Sequence, residues 1–330
     1  MNELQAIVRA LSEAPSAPAV LATLVSVEGS SYRRPGARLL LLGDGRRIGS
    51  ISGGCLEEDV IARARHVGIT RKSETAIYDT TTENDLVWGV GLGCHGVVKV
   101  LIEPVPARPR WADALARNFA ARRPTHVVVA HDCGVEGEAG TRVEAEAAAT
   151  TSVLFAQTVP PPLRLCVFGA GEDARPVARL GASLGWSVTV ADPRAAFATA
   201  ERFPSAEHVI VGPAETLATK AAPDDRSVAV VMTHHYIHDV PLLRALLPKE
   251  LPYLGLLGPR KRAERILADL RASGFEPTAS QLARFHAPVG LDLGADGPEQ
   301  VALAIVAEIQ AVLGGRSAQP LKERSMPIHD

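Results

Sequence analysis

The shortages in this 330-residue chain are its first guide. Cysteine is scarce: Cys55, Cys94, Cys133 and Cys166 are all there are, and no two form a Cys-x-x-Cys pair. That argues against the disulfide framework of a small secreted domain. Charge of one sign is also missing. The 35 Lys and Arg residues stand against 37 Asp and Glu, a net charge of −2, with no basic run, so nucleic acid is not an expected partner. No apolar run reaches the length of a membrane span, and the N-terminus lacks a basic-then-apolar leader. The expectation is a soluble cytoplasmic protein with no membrane contact. Aromatics make up only 4%, which says little about function.

What is present is length enough for two cores and one well-formed pattern over 163–192. Residues 165–168 are a short apolar run of the kind a buried parallel strand shows. Gly169-Ala170-Gly171 turns the chain, and 173–184 follow at helical spacing, with Val177, Leu180 and Leu184 on one face. Gly185 stands where a helix end favours a left-handed residue, 186–190 form the next strand, and Asp192 closes it. This is the dinucleotide-binding register, with Ala174 in place of the third glycine. In that register glycine lets the backbone approach a phosphate, the helix start attracts it, and the acid accepts from a ribose hydroxyl. Strand-like runs at 208–211, 227–232 and 253–257, with helices near 240–247 and 259–273, continue the alternation. The reading is α/β: a C-terminal Rossmann-like, doubly wound parallel sheet over 159–315, preceded by an α+β domain over 1–158. Residues 316–330 read as a disordered tail. Val159-Pro160-Pro161-Pro162 marks the boundary.

In the N-terminal part, 2–12 is an amphipathic helix with Leu4, Ile7, Val8 and Leu11 on one side, and 19–27 is strand-like. The loop Glu28–Gly36 holds Ser30, Ser31, Arg33 and Arg34 and reads either as mobile surface or as an anion site. Strands at 38–42 and 46–51 flank Gly43-Asp44-Gly45. Gly53 and Gly54 then precede Cys55 at a helix start, and Glu57, Glu58 and Asp59 complement the helix dipole. A second glycine-flanked thiol, Cys94 beside His95, sits in 86–96, where four glycines weaken any strand. A structural role explains this pair of glycine-flanked cysteines least well, whereas Cys166 lies inside a core strand. His131-Asp132-Cys133-Gly134 lacks partner spacing and reads as a loop.

Polar clusters fall where the C-terminal strands end: Asp192 to Arg194, Thr233 to Asp239, and Gly258 to Arg262. In a doubly wound sheet these ends line the ligand crevice. His234 with His238, and His235 with Asp239, have metal-site spacing, but a strand-to-loop junction does not hold helical spacing. Arg260 and Arg262 at a helix start are candidates to clamp a phosphate. Residues 301–313 are apolar on nearly every side, which predicts a place in the core or in a homodimer interface.

Seven blocks in order resemble the XdhC/CoxI family, the accessory proteins that mature molybdenum hydroxylases such as xanthine dehydrogenase. They are GSSYRRPGARLLL (29–41), GSISGGCLEEDV (49–60), GLGCHG (91–96), FGAGEDA (168–174), MTHHYIHD (232–239), GLLGPRKR (255–262) and PVGLDLGADGPEQVALAIVAEI (288–309). The resemblance spans about residues 4–313. It implies a cofactor-insertion chaperone rather than a catalyst. Such a protein binds molybdenum cofactor (molybdopterin) and delivers it to an apo molybdenum hydroxylase, in some members with sulfuration of the metal by a cysteine desulfurase. It moves Ser30, Ser31, Arg34 and Asp292 from surface to cofactor contacts, beside Gly53, Gly54, Cys55, Cys94, Gly169, Gly171, Asp192, His234 and Arg260. Cys55 and Cys94 would converge near the metal, since soft sulfur suits it. Two positions depart from the family pattern: His95 replaces a glycine, and Glu172 stands where many relatives have histidine, placing a carboxylate that repels a phosphate. The rival reading is an NAD(P)-dependent oxidoreductase with His234 or His235 as acid/base. A third is a scaffold that holds no cofactor.

Overall fold

Strand β1 (Ala19–Gly29) is apolar without alternation because it is buried on both faces. A computed structural model of the protein describes residues 2–13, 19–79, 96–106, 108–130, 140–143 and 153–325. Cys94, His95 and the 131–134 stretch with Cys133 lie outside the described residues. The chain forms two compact units, Met1–Pro161 and Pro162–Asp330.

In the first unit β1 is the middle of a five-stranded antiparallel sheet. It pairs with β2 (Arg38–Leu41) on one side and β5 (Gly96–Val105) on the other, with β3 (Arg47–Gly49) and β4 (Glu74–Asp79) at the edges. Helix α2 (Glu57–Thr70) covers one face: its Val60, Ile61, Ala64 and Val67 meet Val20, Ala22 and Leu24. Helices α1 (Asn2–Ser12) and α3 (Arg110–Ala120) cover the other, packing Ile7, Leu11, Trp111 and Leu115 around Leu21 and Leu40. The i, i+3, i+4, i+7 stripe of α1 is fully used, since Leu4, Ile7, Val8 and Leu11 are all buried. Each such side chain contributes about 1.5–3 kcal/mol of transfer free energy. A second antiparallel sheet orders β7 (Gly140–Val143), β6 (Thr125–Ala130) and β8 (Val153–Val159).

The second unit is a six-stranded parallel sheet in the order β11-β10-β9-β12-β13-β14. Its strands are β9 (Arg164–Phe168), β10 (Ser187–Asp192), β11 (His208–Val211), β12 (Ser227–Val231), β13 (Tyr253–Leu256) and β14 (Phe285–His286). The chain winds outward from β9 in one direction and restarts at β12 in the other, so the β9/β12 junction is the topological switch point. Helix α4 (Ala174–Ser183) and helix α9 (Pro298–Leu313) pack on one face. Helices α5 (Ala214–Ala221), α6 (Tyr236–Leu246) and α7 (Arg260–Ala272) fill the other. This is the doubly wound Rossmann-type architecture, with an α+β region before it.

Of the two places the sequence allowed for α9, core or interface, Ala302, Ile305 and Ile309 take the core, while Leu303 and Leu313 are exposed. The structure differs from the sequence reading in three places. A two-residue strand, β14, pairs with β13 and is too short to show periodicity. Helix α8 (Ala279–Ala283), absent from the sequence reading, carries a capping box between Thr278 and Gln281. In the expected tail, Leu321–Glu323 form a 3₁₀ turn. Among the described residues no helix is long and apolar enough to cross a membrane.

On α9 itself, Glu308 accepts from Tyr253 Oη (2.5 Å) and Gly290 N–H (2.8 Å) and pairs with His286 Nδ1 at 3.3 Å. Burial pushes this carboxyl up, but the three partners together hold it below the ordinary glutamate value. The cluster anchors the loop that carries Asp292.

Candidate functional site

Two glycine loops concentrate the chemistry, one in each unit. In the first unit β1 ends at Gly29, which pairs with Gly96 at the start of β5. A Cβ on Gly96 would lie 2.4 Å from Ser30 O, so only glycine fits where β5 passes the Ser30 loop. Tyr32, 66% exposed, lies over Gly53: its ring carbons stand 3.6 Å from where a Gly53 Cβ would be. The Ser30–Arg34 loop, the Gly53–Cys55 loop and the start of β5 therefore meet at one end of the sheet. Cys94 stands two residues before Gly96 in the sequence and lies outside the described residues.

The Gly53–Cys55 loop is built around an internal anion. Glu57, in the first turn of α2, accepts from Ser52 N–H (2.8 Å), Gly54 N–H (3.0 Å) and Ser50 Oγ (2.9 Å), and also from the Ser52 hydroxyl. Ser52 Oγ in turn accepts from Leu56 N–H at 3.0 Å. Partial burial raises the Glu57 carboxyl, and the hydrogen bonds from Ser52 and Ser50 outweigh it, so the group stays below its usual range. Gly54 has φ +113° with open space where a side chain would be. Cys55 follows as a free, half-buried thiol two residues before α2. Ser30 and Arg34 are exposed and Ser31 is half-buried, while Arg33 is tied to Glu3 by two hydrogen bonds at 2.5 and 2.9 Å. The donor set fits the sulfur-and-metal end of a dithiolene cofactor. It does not offer the Ser52 and Gly54 amides to a phosphate, because Glu57 holds them.

In the second unit the crevice at the switch point brings together Gly169, Gly171, Asp192 and His234. A Cβ on Gly169 would lie 2.3 Å from Met232 O, which is why the β9 turn needs glycine. Asp192 is fully buried. Its carboxylate accepts from Ala170 N–H (2.7 Å), Arg194 N–H (2.7 Å) and the Arg194 guanidinium at 2.8 and 2.9 Å. Burial raises it, and these donors more than reverse that, leaving it below the ordinary aspartate value. The acid that the spacing offered to a ribose instead braces the glycine turn. His234 has φ +60°, and its Nε2 lies 2.6 Å from Asp173 Oδ2, bridging the loops after β9 and β12. Arg262 donates to His234 O at 3.3 Å and to buried Asp239, whose other oxygen accepts from Thr233 Oγ at 2.5 Å. Glu172 accepts from Arg175 (2.9 Å) and Arg202 (2.8 Å).

The crevice does not gather every expected residue. Arg260 is 81% exposed, with Glu264 at 3.7 Å, and Asp292 is exposed in the loop after β14. His235 caps α6 and meets His238 edge-on at 5.7 Å, but among the described residues no three metal-ligating groups come together. A cavity of about 580 Å³ lined by Arg164, Glu207, His208 and Lys220 lies by the starts of β9 and β11, at the opposite end of the sheet from the glycine turn. Sequence reasoning missed Glu57 as a loop anchor, Asp173 as a crevice residue and the Thr233–Asp239–Arg262 brace. The only signal was that Glu57 and Asp173 closely follow glycine turns and that Asp239 lies in the polar cluster after β12.

Comparison with known proteins gives a consistent relationship. Residues 165–309 match the profile described as XdhC Rossmann domain, and residues 13–79 the profile described as XdhC and CoxI family. A probable xanthine dehydrogenase subunit of Bacillus subtilis (strain 168) is 38% identical over 312 residues, covering 88% of this chain and 92% of that protein. The Escherichia coli (strain K12) molybdenum cofactor insertion chaperone PaoD is 25% identical over 297 residues, covering 89% and 83%. A crystal structure described as that of a xanthine dehydrogenase from Bacillus halodurans superposes with a TM-score of 0.80 at 29% identity, covering 98% of this chain and 99% of that one.

Proposed function

Since the chain belongs to the XdhC and CoxI family, we propose that it binds molybdenum cofactor and delivers it to an apo molybdenum hydroxylase of the xanthine dehydrogenase type. The observation that carries this reading is the Cys55 loop. A free, half-buried thiol sits beside a glycine with open space, where the Ser30–Arg34 loop and the start of β5 meet. The relative PaoD, whose name is that of a molybdenum cofactor insertion chaperone, supports the same role.

When bound, the cofactor supplies a dithiolene-held metal and a terminal phosphate. In this reading Cys55 and Cys94 supply soft sulfur at the metal end. Ser30, Ser31 and Arg34 supply hydroxyl donors and a guanidinium for the phosphate. Gly53 and Gly54 keep the approach free of side chains. A cysteine desulfurase partner provides the sulfur that the metal carries before hand-over. We assign no phosphate contact to Gly169, Gly171, Asp192, His234, Arg260 or Asp292, because the Asp173 carboxylate held by His234 covers Gly171, Asp192 is taken up by Ala170 and Arg194, and Arg260 and Asp292 are exposed away from the turn.

The test is purification of the full chain from a host that makes molybdenum cofactor, followed by molybdopterin assay and incubation with apo-hydroxylase. The wild type retains cofactor and restores hydroxylase activity. Cys55→Ser and Cys94→Ser each lower retention about tenfold or more, equivalent to about 1.4 kcal/mol of binding, at unchanged Tm. Full activation of the hydroxylase by the double variant overturns the assignment.

A further inference from the structure

We propose that Asp173 is the specificity-determining residue of the C-terminal crevice, and that it makes a glycine turn of dinucleotide type refuse dinucleotides. In such a turn the pyrophosphate approaches over the second glycine, toward the start of the following helix. Here that space is taken. Asp173 Oδ1 lies 2.7 Å from where a Cβ on Gly171 would be, so the carboxylate covers the open face of that glycine. Its other oxygen is held by His234 Nε2 at 2.6 Å.

The latch is built rather than incidental. Asp173 is the N-cap residue of α4 but its side chain makes no capping hydrogen bond, so the helix itself does not explain where the carboxylate lies. His234 adopts a left-handed backbone that costs a non-glycine residue about 1–2 kcal/mol. It is kept there by Arg262, which donates to its carbonyl, and by the buried Asp239 and Thr233 that fix Arg262. A residue held in a disfavoured conformation by a buried network points to a function for its side chain. The function visible here is to hold Asp173 over Gly171.

The rest of the loop agrees. Glu172 places a second carboxylate there and is already satisfied by Arg175 and Arg202, and Arg202 also donates to Ala170 O at 3.3 Å. Asp192 is enclosed and faces the loop amide and Arg194, not a ribose position. A pyrophosphate entering this crevice would lose Gly171 to Asp173 and meet that carboxylate at close range, while Arg175, Arg202 and Arg194 are already engaged by Glu172 and Asp192. The inference concerns neither the cysteines nor the molybdenum cofactor, so it stands or falls apart from the function proposed above.

The experiment is calorimetric titration of the full-length chain with NAD⁺, NADH, NADP⁺, NADPH and ADP. The wild type gives no saturable binding at millimolar ligand. Asp173→Ala gains binding of ADP and NADH by about tenfold or more, and added salt weakens the gain. Asp173→Asn, which keeps the shape and removes the charge, gains less; it also decides the matter if Asp173→Ala does not fold. Adding Gly171→Asp to Asp173→Ala abolishes the gain, which locates it in this turn. Saturable micromolar binding of a dinucleotide by the wild type overturns the proposal, as does an absence of gain in the folded Asp173 variant.

Discussion

At the scale of single residues, the clearest consequence belongs to Glu103 of β5. It is buried, accepts from Thr141 N–H (2.8 Å) and Thr141 Oγ (2.5 Å), and burial pushes its carboxyl from 4.5 up to about 7. A carboxyl raised in the folded state binds its proton more tightly there than in the unfolded chain. Its stabilisation is therefore complete below about pH 4.5 and is lost as pH rises through about 7. Relative to Glu103→Gln, which keeps both hydrogen-bond partners without the charge, the wild type should lose up to about 3 kcal/mol across that window. Denaturant titrations of both proteins from pH 4 to 8 measure this, and parallel curves would remove the assignment. The cysteines divide at the same scale. Cys166 is buried between β10 and β12 partners, so Cys166→Ser should cost about 1–3 kcal/mol by placing a hydroxyl in the sheet core. Cys55→Ser should leave the melting temperature unchanged.

At the scale of elements, glycine turns decide where strands can stop and helices can start. Gly274 follows α7 with φ +82° and nothing within 4 Å of where a Cβ would stand, whereas a Cβ on Gly169 would strike the Met232 carbonyl at 2.3 Å. Gly274→Ala should therefore cost about 1 kcal/mol, the conformational cost alone. Gly169→Ala should cost at least twice that, because two backbones must part; urea midpoints of the two variants give the comparison. Much of this level was legible in the sequence. The apolar run at 165–168, the glycine turn, the helical stripe through Val177 and Leu180 and the strand ending at Asp192 all follow from periodicity and turn chemistry. What was not legible is where polar side chains turn once the backbone is set. Glu57 satisfies the helix-dipole rule whether it faces water or folds back onto Ser52 and Gly54, and only tertiary geometry chooses. Asp192 matched the ribose pattern, yet Arg194 two residues later captures it. The left-handed His234 carries no sequence mark, since histidine tolerates that conformation better than most residues but the sequence does not show which histidine adopts it.

At the scale of the whole molecule, each unit owns its core. The clusters around Leu254 and Ile305 consist of residues from Pro162–Asp330 alone. A fragment spanning 162–325 should accordingly unfold in one cooperative step, with matching transitions by circular dichroism and fluorescence; a broad, non-cooperative melt would show that this half depends on the other. The two units also share a habit that bears on life in a cell. In each, a glycine turn already contains its own carboxylate: Glu57 three residues after Gly54, and Asp173 two residues after Gly171. A tethered group competes at an effective concentration set by its short leash, and for so short a link that concentration stands with the millimolar pools of free phosphate and nucleotide around it. Small anions of a cell therefore meet an occupant already in place in each turn, and the cargo, whose phosphate is assigned to Ser30, Ser31 and Arg34, does not have to displace it.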